Sequence, residues 1–339
     1  MEFQREASLK PFNTFGIDVK ARLLATFTSV DELRALLQHP HVAALPKLIL
    51  GGGSNVLFTQ DVEAAVLLNR IKGITVEDEP DGDHVLVTAG SGETWHDLVL
   101  YTIDQNLAGI ENLSLIPGTV GAAPLQNIGA YGVELKDTFH SLEALEIETE
   151  QLVHFTREQC GFGYRESIFK KEAKGKYIVT SVTLRLSRTP QFNTSYGAIQ
   201  TTLEQMQVKE LSLKAVSEAV CHIRRSKLPD PAQIGNAGSF FKNPEIPKTQ
   251  FEQLRAQYPS IPGYPVNENT VKVPAGWLIE QCGWKGKVLG AHGVHKDQAL
   301  VLVNYGGATG AQVKALAYEV IQSVQEKFGI ALTPEVNIL

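Results

Sequence analysis

Apolar positions along the chain follow two rhythms, and the rhythm changes near residue 133. In the first part, short strands and helices alternate. Ser29-Val30-Asp31-Glu32 reads as a capping box, Ser29 accepting from the backbone of N3 and Glu32 reaching back, and it opens a helix through about Gln38. Lys47 to Leu50 reads as a buried strand that runs straight into Gly51-Gly52-Gly53-Ser54-Asn55. A second strand, His84 to Ala89, leads to a helix from about Glu93 to Gln105. The stretch Pro117 to Gly132 has neither period. Past Val133 the pattern turns to β: Leu142 to Ile147 and Tyr177 to Leu186 alternate or run apolar with β-branched residues. Pro190 to Glu210 is polar and turn-rich, a boundary or a protruding loop. A helix is predicted from about Leu213 to Ser226, with Val216, Val220 and Ile223 on one face. Arg224, Arg225 and Lys227 end it, as the macrodipole prefers, and Pro229 and Pro231 stop it. A loop-rich region then runs to about Gly290. The strand Ala299 to Asn304 meets a last helix, about Ala311 to Lys327, in which Val313, Leu316, Ala317, Val320, Ile321, Val324 and Phe328 follow the i, i+3, i+4, i+7 rule. No internal repeat interrupts this order.

Composition narrows the picture. The 339 residues suggest two domains or three small ones, and 43% apolar with 20% charged residues excludes a disordered chain. A formal net charge of −6 lacks the basic excess of a dedicated nucleic-acid binder. Cys160, Cys221 and Cys282 are odd in number and far apart, with no paired spacing, so neither a disulfide framework nor a zinc site is expected and no metal is predicted. The charged start, Met1 to Glu6, has no apolar core of a secretory signal. The longest apolar runs, such as Ala299 to Val303, are strand length and far short of a membrane span. A cytoplasmic protein without membrane or nucleic-acid partners is the expectation.

Chemistry-bearing candidates lie in loops. Three glycines after a strand can take positive φ and turn successive N–H groups into one concavity, a nest for a pyrophosphate; equally, they can serve a tight turn. Ile116-Pro117-Gly118-Thr119-Val120-Gly121-Ala122-Ala123-Pro124, continuing to Gln126-Asn127-Ile128-Gly129-Ala130-Tyr131-Gly132, is long for a structureless loop inside a domain. Such loops are usually functional, and small residues let a flat ring approach the backbone; a self-packed Ω-loop is the alternative. Gly306-Gly307-Ala308-Thr309-Gly310 sits between strand and helix but misses the G-x-G-x-x-G spacing and has no second βαβ unit after it, so it reads as a plain helix-start turn. Three weaker segments remain. Phe162-Gly163-Tyr164-Arg165-Glu166-Ser167 sets an arginine fork in a turn. Asn236-Ala237-Gly238-Ser239-Phe240-Phe241-Lys242-Asn243-Pro244 carries a serine without the spacing of a nucleophile elbow. Thr333-Pro334-Glu335-Val336 holds a single acid.

Taken in order, Gly51 to Leu57, Pro117 to Gly132, Gly163-Tyr164-Arg165, Asn236 to Pro244 and Pro334-Glu335-Val336 resemble the UDP-N-acetylenolpyruvoylglucosamine reductases, flavoenzymes of bacterial peptidoglycan precursor synthesis. The resemblance runs from about Ser8-Leu9-Lys10-Pro11-Phe12-Asn13-Thr14-Phe15-Gly16 to the last residues. Tyr196, in Thr194-Ser195-Tyr196-Gly197, fits the subtype with a tyrosine loop over the substrate. The fold implied is α/β (α+β): an FAD-binding fold of the vanillyl-alcohol-oxidase type made of two α/β subdomains, plus an α+β substrate-binding domain. The implied division is 1–70 with 313–339 for the first subdomain, 71–205 for the second and 206–312 for the substrate domain.

The resemblance also implies roles. NADPH reduces FAD and leaves, and the enolpyruvyl ether of UDP-N-acetylglucosamine takes its place. Hydride adds to the vinyl carbon made electrophilic by the conjugated carboxylate. Arg165 matches the cation for the enolate-like charge, Glu335 its acidic partner with a shared or retained proton, and Ser239 the proton donor. Gly51, Gly52, Gly53, Ser54, Asn55 and Val56 match FAD-pyrophosphate positions. Pro117, Gly118, Thr119, Gly121, Gln126, Asn127, Ile128, Gly129, Ala130 and Tyr131 match pyrophosphate and isoalloxazine positions, and Arg224 a flavin-ring contact. Tyr164, Tyr196, Lys227, Asn243, Lys285 and Gln298 match substrate anchors, for a UDP-sugar that a monomer would bind. Ala122-Ala123 depart from the Ser-Ser of some members, so no hydroxyl contact is expected there. An oxidase of the same fold and a non-catalytic nucleotide-sugar binder are the rival functions. The first would share the glycine loops without needing Ser239, Arg165 and Glu335 together.

Overall fold

The Ser29 hydroxyl accepts from the Glu32 N–H and opens the helix Val30–Gln38. The return bond goes one residue further back than predicted: Glu32 accepts from the backbone N–H and hydroxyl of Thr28. Leu33, Leu36 and Leu37 of this helix are buried in one cluster with Leu23, Ala25, Phe27, Ala65 and Leu67. Such a contiguous apolar face stabilises a short helix more than its propensity does.

This computed structural model describes residues 2–339, and the chain divides into two compact units. The first holds residues 2–7, Ala21–Gly52 and Glu63–Ser226; the second holds Ser8–Lys20, Gly53–Val62 and Lys227–Leu339.

In the first unit, Gln4–Ser8, Lys20–Phe27, Val62–Asn69 and Lys47–Leu50 form one sheet in that order, the last pair parallel with Lys47 opposite Ala65. A five-stranded antiparallel sheet follows the order Leu152–Thr156, Phe139–Glu146, Tyr177–Ser187, His84–Gly90, Ile74–Asp78. Its register sets Val182 against Ala89, Leu184 against Val87 and Leu186 against Val85. All six are buried in a core shared with Trp95, Leu98 and Val99 of the helix Trp95–Asp104. A one-residue slip would turn that whole set to the opposite face. The helix Leu213–Lys227 buries Val216, Val220 and Ile223, as its spacing predicts.

The second unit carries two three-stranded sheets, Glu245–Pro247, Thr270–Lys272, Tyr264–Asn267 and Val288–Leu289, His292–Val294, Leu302–Asn304, and the parallel pair Val56–Leu57 with Asn337–Ile338. Its long helix Gly310–Phe328 starts at a reciprocal capping box of Thr309 and Gln312 and ends at left-handed Gly329. A Cβ on Gly310 would lie 1.7 Å from the Phe58 carbonyl oxygen. That glycine therefore serves close packing at a helix start rather than a dinucleotide turn.

Four expectations need correcting. The segment 190–210 contains a helix, Ile199–Gln205; at seven residues it is under two full turns, too short to show a period. The region 227–290 holds the helices Lys248–Gln257 and Ala275–Gln281 as well as strands. The first buries only Phe251 and Leu254, so its apolar stripe is thin. Pro117 to Gly132 includes a 3₁₀ segment, Val120–Gln126, closed by left-handed Asn127. The strand expected over Ala299 to Asn304 spans only Leu302–Asn304.

Candidate functional site

The first unit brings the two glycine loops together. A Cβ on Gly51 would sit 2.3 Å from Thr119 Oγ1, and one on Gly52 3.0 Å from the Gly118 Cα. Backbone thus lies against backbone, and any side chain at Gly52 would push the loops apart. Arg70 Nη1 donates to the Gly51 carbonyl at 2.9 Å. The second loop is stitched to the start of the helix Trp95–Asp104: Val120 donates to Glu93, Gly121 to Ser91, and Trp95 to Gly118. A Cβ on Gly121 would meet Ser91 at 2.5 Å. A lining of close main chain, with no room for side chains, fits a pyrophosphate held by amides.

Beyond the 3₁₀ segment, Asn127 is fully buried. Its Nδ2 donates to Glu134 Oε2 at 3.1 Å and to the Gly163 carbonyl at 3.0 Å, and its Oδ1 accepts from the Lys136 N–H. The side chain is committed to the protein, and the backbone N–H turns back to the Pro124 carbonyl. Ile128 accepts from Leu135 and Ala130 pairs with Val133.

Arg165 adopts a left-handed backbone, φ 55°. Its Nη2 donates to the Gly129 carbonyl at 2.6 Å, and the guanidinium lies 5.4 Å from the Tyr164 ring centroid. Gly129 lets it come so near: a Cβ there would be 2.9 Å from Nη1. Tyr131 is also left-handed, φ 51°, and its hydroxyl bonds Arg224, which opposes the upward push that burial gives the phenol. Burial in turn lowers the Arg224 guanidinium below its usual range, Tyr131 and Cys221 resist that shift, and Arg165 adds to it. Tyr196 packs beside Gly132, where a Cβ would be 3.2 Å from the tyrosine Cβ, yet remains 58% exposed.

Two residues absent from the sequence reading hold this arrangement. Asn112 donates to the Tyr131 carbonyl at 3.0 Å and to the Asn193 carbonyl at 2.8 Å, tying the loop 117–132 to the segment that leads to Tyr196. Leu115, with φ 59°, accepts from Arg224 Nε at 3.2 Å. No compositional signal marks either; a leucine gives no hint of a left-handed backbone.

The second unit gathers another group. Gly53 has φ 61°, and a Cβ there would fall 1.9 Å from the Phe12 carbonyl oxygen. Asn55 Nδ2 donates to the Glu335 carbonyl at 3.3 Å, and Asn337 donates to the Asn55 carbonyl, with Val56 in parallel pairing beside it. The segment carrying Ser239 runs between two others. Ser239 bridges Val301; Phe240 donates to Leu300 and accepts from Glu335; Lys242 donates to Thr333. Phe240 and Phe241 are buried beneath, and Ser239 is half-buried. Ser239 and Glu335 therefore stand on neighbouring extended segments.

Among the expected substrate anchors, Asn243 Oδ1 accepts the Ala275 N–H and so caps the helix Ala275–Gln281, leaving its amide donors. Gln298 Oε1 accepts from Leu300 at 3.4 Å. Lys285 is paired with Glu280 at 3.0 Å. Lys227 is exposed at the end of its helix. Buried His295, which the sequence did not single out, donates its N–H to Val301 opposite Ser239, and burial lowers its imidazole below the usual range.

Among the described residues, Glu79, Asp81 and His84 could together face a cation. Arg185 already occupies that role, with Nε 2.5 Å from Glu79 and Nη2 2.9 Å from Asp81. The backbone N–H of His84, ahead of its side chain, draws Asp81 down to about 2.

Comparison with known proteins bears on both units. The description "FAD binding domain" matches residues 21–156, and "UDP-N-acetylenolpyruvoylglucosamine reductase, C-terminal domain" matches residues 230–339. The UDP-N-acetylenolpyruvoylglucosamine reductase of Flavobacterium johnsoniae is 53% identical over 340 residues, covering 100% of each chain. That of Amoebophilus asiaticus is 52% identical, again over 100% of each. The solved reductase of Thermus caldophilus superposes with a TM-score of 0.66 at 23% identity, over 100% of this chain and 99% of its own. This likeness shows the fold, α/β with mixed helices and strands, and the FAD-binding description rests on the match over residues 21–156.

Proposed function

The chain belongs to the UDP-N-acetylenolpyruvoylglucosamine reductase family, an FAD-binding oxidoreductase of peptidoglycan precursor synthesis, and from that premise we propose how its residues divide the reaction. The substrate is the enolpyruvyl ether of UDP-N-acetylglucosamine and the product is UDP-N-acetylmuramate. Main chain at Gly51 to Val56 and at Pro117 to Tyr131 would hold the cofactor, and Arg224 would contact its ring. FAD held there would supply hydride chemistry, with NADPH as reductant and the terminal vinyl carbon of the substrate as acceptor.

Arg165 meets the charge that builds on the substrate carboxylate. It is preorganised for this, since Gly129 and Tyr164 fix its guanidinium before any ligand arrives. Glu335 shares or retains a proton so that it assists rather than repels. Ser239 donates the proton that completes the saturated carbon. Tyr164, Tyr196, Lys227, Asn243, Lys285 and Gln298 anchor the UDP-sugar. As functional regions we assign 1–70 with 313–339 and 71–205 to the cofactor and 206–312 to the substrate. The enzyme works as a monomer in the cytoplasm; among the described residues no helix is long and apolar enough to cross a membrane.

The observation that carries this reading is the backbone bond from Glu335 to Phe240, next to Ser239, which sets Ser239 and Glu335 on adjacent extended segments. Ser239→Ala tests it in stopped flow. Bleaching of bound FAD by NADPH should proceed as in the parent, and reoxidation by the enolpyruvyl substrate should slow by about 10²–10⁴, the scale of a lost acid–base group. Unchanged reoxidation removes Ser239 from the chemistry. NADPH consumption that depends on oxygen rather than on this substrate would identify an oxidase instead.

A further inference from the structure

His96 is the second residue of the helix Trp95–Asp104, and its side chain is half-buried. Its Nδ1 lies 2.9 Å from the backbone nitrogen of Leu115. An amide N–H only donates, so Nδ1 accepts and the ring proton resides on Nε2. Leu115 is one of the few residues other than glycine with a left-handed backbone, φ 59°, a conformation that persists only when its surroundings impose it. The Leu115 carbonyl, on the opposite side of the same residue, accepts from Arg224 Nε at 3.2 Å. One residue earlier, the buried Ser114 hydroxyl lies 2.7 Å from that of Ser217 on the helix Leu213–Lys227. The strained turn is thus held from two helices at once.

We propose that His96 is a positioning residue for the cofactor: through its acceptor nitrogen it fixes Leu115, and Leu115 in turn fixes the guanidinium of Arg224. The cofactor half of this statement rests on the placement of Arg224 against FAD given above.

The device is sensitive to pH. A protonated imidazole has an N–H at both nitrogens, so it cannot accept from Leu115, and its charge faces cations. The groups around it are Asp97 on its own helix and Arg224 and Arg225 on the helix packed against it. Burial, foremost, and the two arginines hold the ring below its usual range, and Asp97 opposes them. The sign follows: the folded protein disfavours the proton that the unfolded chain accepts at about pH 6.5. The link is therefore intact at neutral pH and is lost as pH falls below that value through the lower folded one.

The test uses the holoenzyme, with hydrogen exchange at the Leu115 amide corrected for intrinsic rates and the FAD dissociation constant from flavin fluorescence, between about pH 8 and pH 5. In the parent protein, both Leu115 protection and FAD affinity should fall on the acid side, FAD binding by roughly tenfold for each unit below the folded value. His96→Asn keeps an acceptor near the Nδ1 position and cannot take up a proton, so its two profiles should be flat and parent-like at neutral pH. His96→Ala should expose the Leu115 amide and weaken FAD at every pH. A His96→Asn protein that loses Leu115 protection and FAD in acid as the parent does overturns the proposal, even if His96→Ala does not fold. Loss of Leu115 protection in His96→Ala with unaltered FAD affinity overturns the cofactor half, and with it the placement of Arg224. Failure of that placement is thereby distinguished from failure of the His96–Leu115 bond.

Discussion

The two units hold their chemistry-bearing side chains in opposite ways. In the first, Arg165, Tyr131 and Asn127 sit on left-handed backbone and are clamped by polar bonds, Arg165 to the Gly129 carbonyl, Asn127 to the Gly163 carbonyl and Tyr131 to Arg224. In the second, Ser239 lies in an extended segment that bridges Val301 and whose next residue, Phe240, exchanges backbone bonds with Leu300 and Glu335, with Phe240 and Phe241 buried beneath. A clamped side chain is part of the architecture, so changing it damages structure and chemistry together. A side chain on a paired strand can be changed with the backbone bonds intact. Ser239→Ala, beyond its kinetic effect, should therefore leave the melting temperature unmoved.

Arg165→Met breaks the comparison most forcefully if it is wrong. Loss of the preorganised cation should slow substrate reduction by about 10²–10³, and loss of the Gly129 bond should lower the melting temperature as well. A large kinetic loss without thermal effect would mean that the clamp is incidental. Asn127→Ala comes next. It strands the Gly163 carbonyl and the Lys136 N–H, and should destabilise the fold by roughly 2–3 kcal/mol, read from a denaturant midpoint at constant slope. A change within about 0.5 kcal/mol, the scale of neutral surface substitutions, would show that water replaces those bonds easily. Lys285→Ala should have the smallest effect. Its partner Glu280 is half-exposed, and such pairs contribute about 0–1 kcal/mol. Stability should be unchanged and KM for the UDP-sugar should rise only a few-fold, which calorimetry and steady-state kinetics would establish.

The same contrast explains what was legible in the sequence. Gly51, Gly52 and Gly53 announce themselves because only glycine tolerates a neighbour where a Cβ would be, and the structure has Thr119, Gly118 and Phe12 in those places. The long helix Gly310–Phe328 was legible because its buried residues recur over five turns. Ile199–Gln205 was not, since two turns give no period and its buried Thr202 reads as polar. Leu115, His96 and Asn112 were silent for a different reason. Their importance lies in which backbone group each one meets across the fold, and residue type carries no trace of that. The capping box at Ser29 shows an intermediate case: the local motif was right, and its second bond moved by one residue, to the backbone N–H and hydroxyl of Thr28 together.

The parallel pairing of Val56–Leu57 with Asn337–Ile338 joins segments some 280 positions apart, as the Asn55 bond to Glu335 does. On a ribosome adding roughly 5–20 residues per second, the strand that follows the first glycine loop waits about a quarter of a minute to a minute for its mate. Over that interval its edge is an open template in a crowded cell. The assembly of the second unit thus depends on timing as well as on energy, and nascent chains stalled in that window are where shielding by a chaperone would matter most.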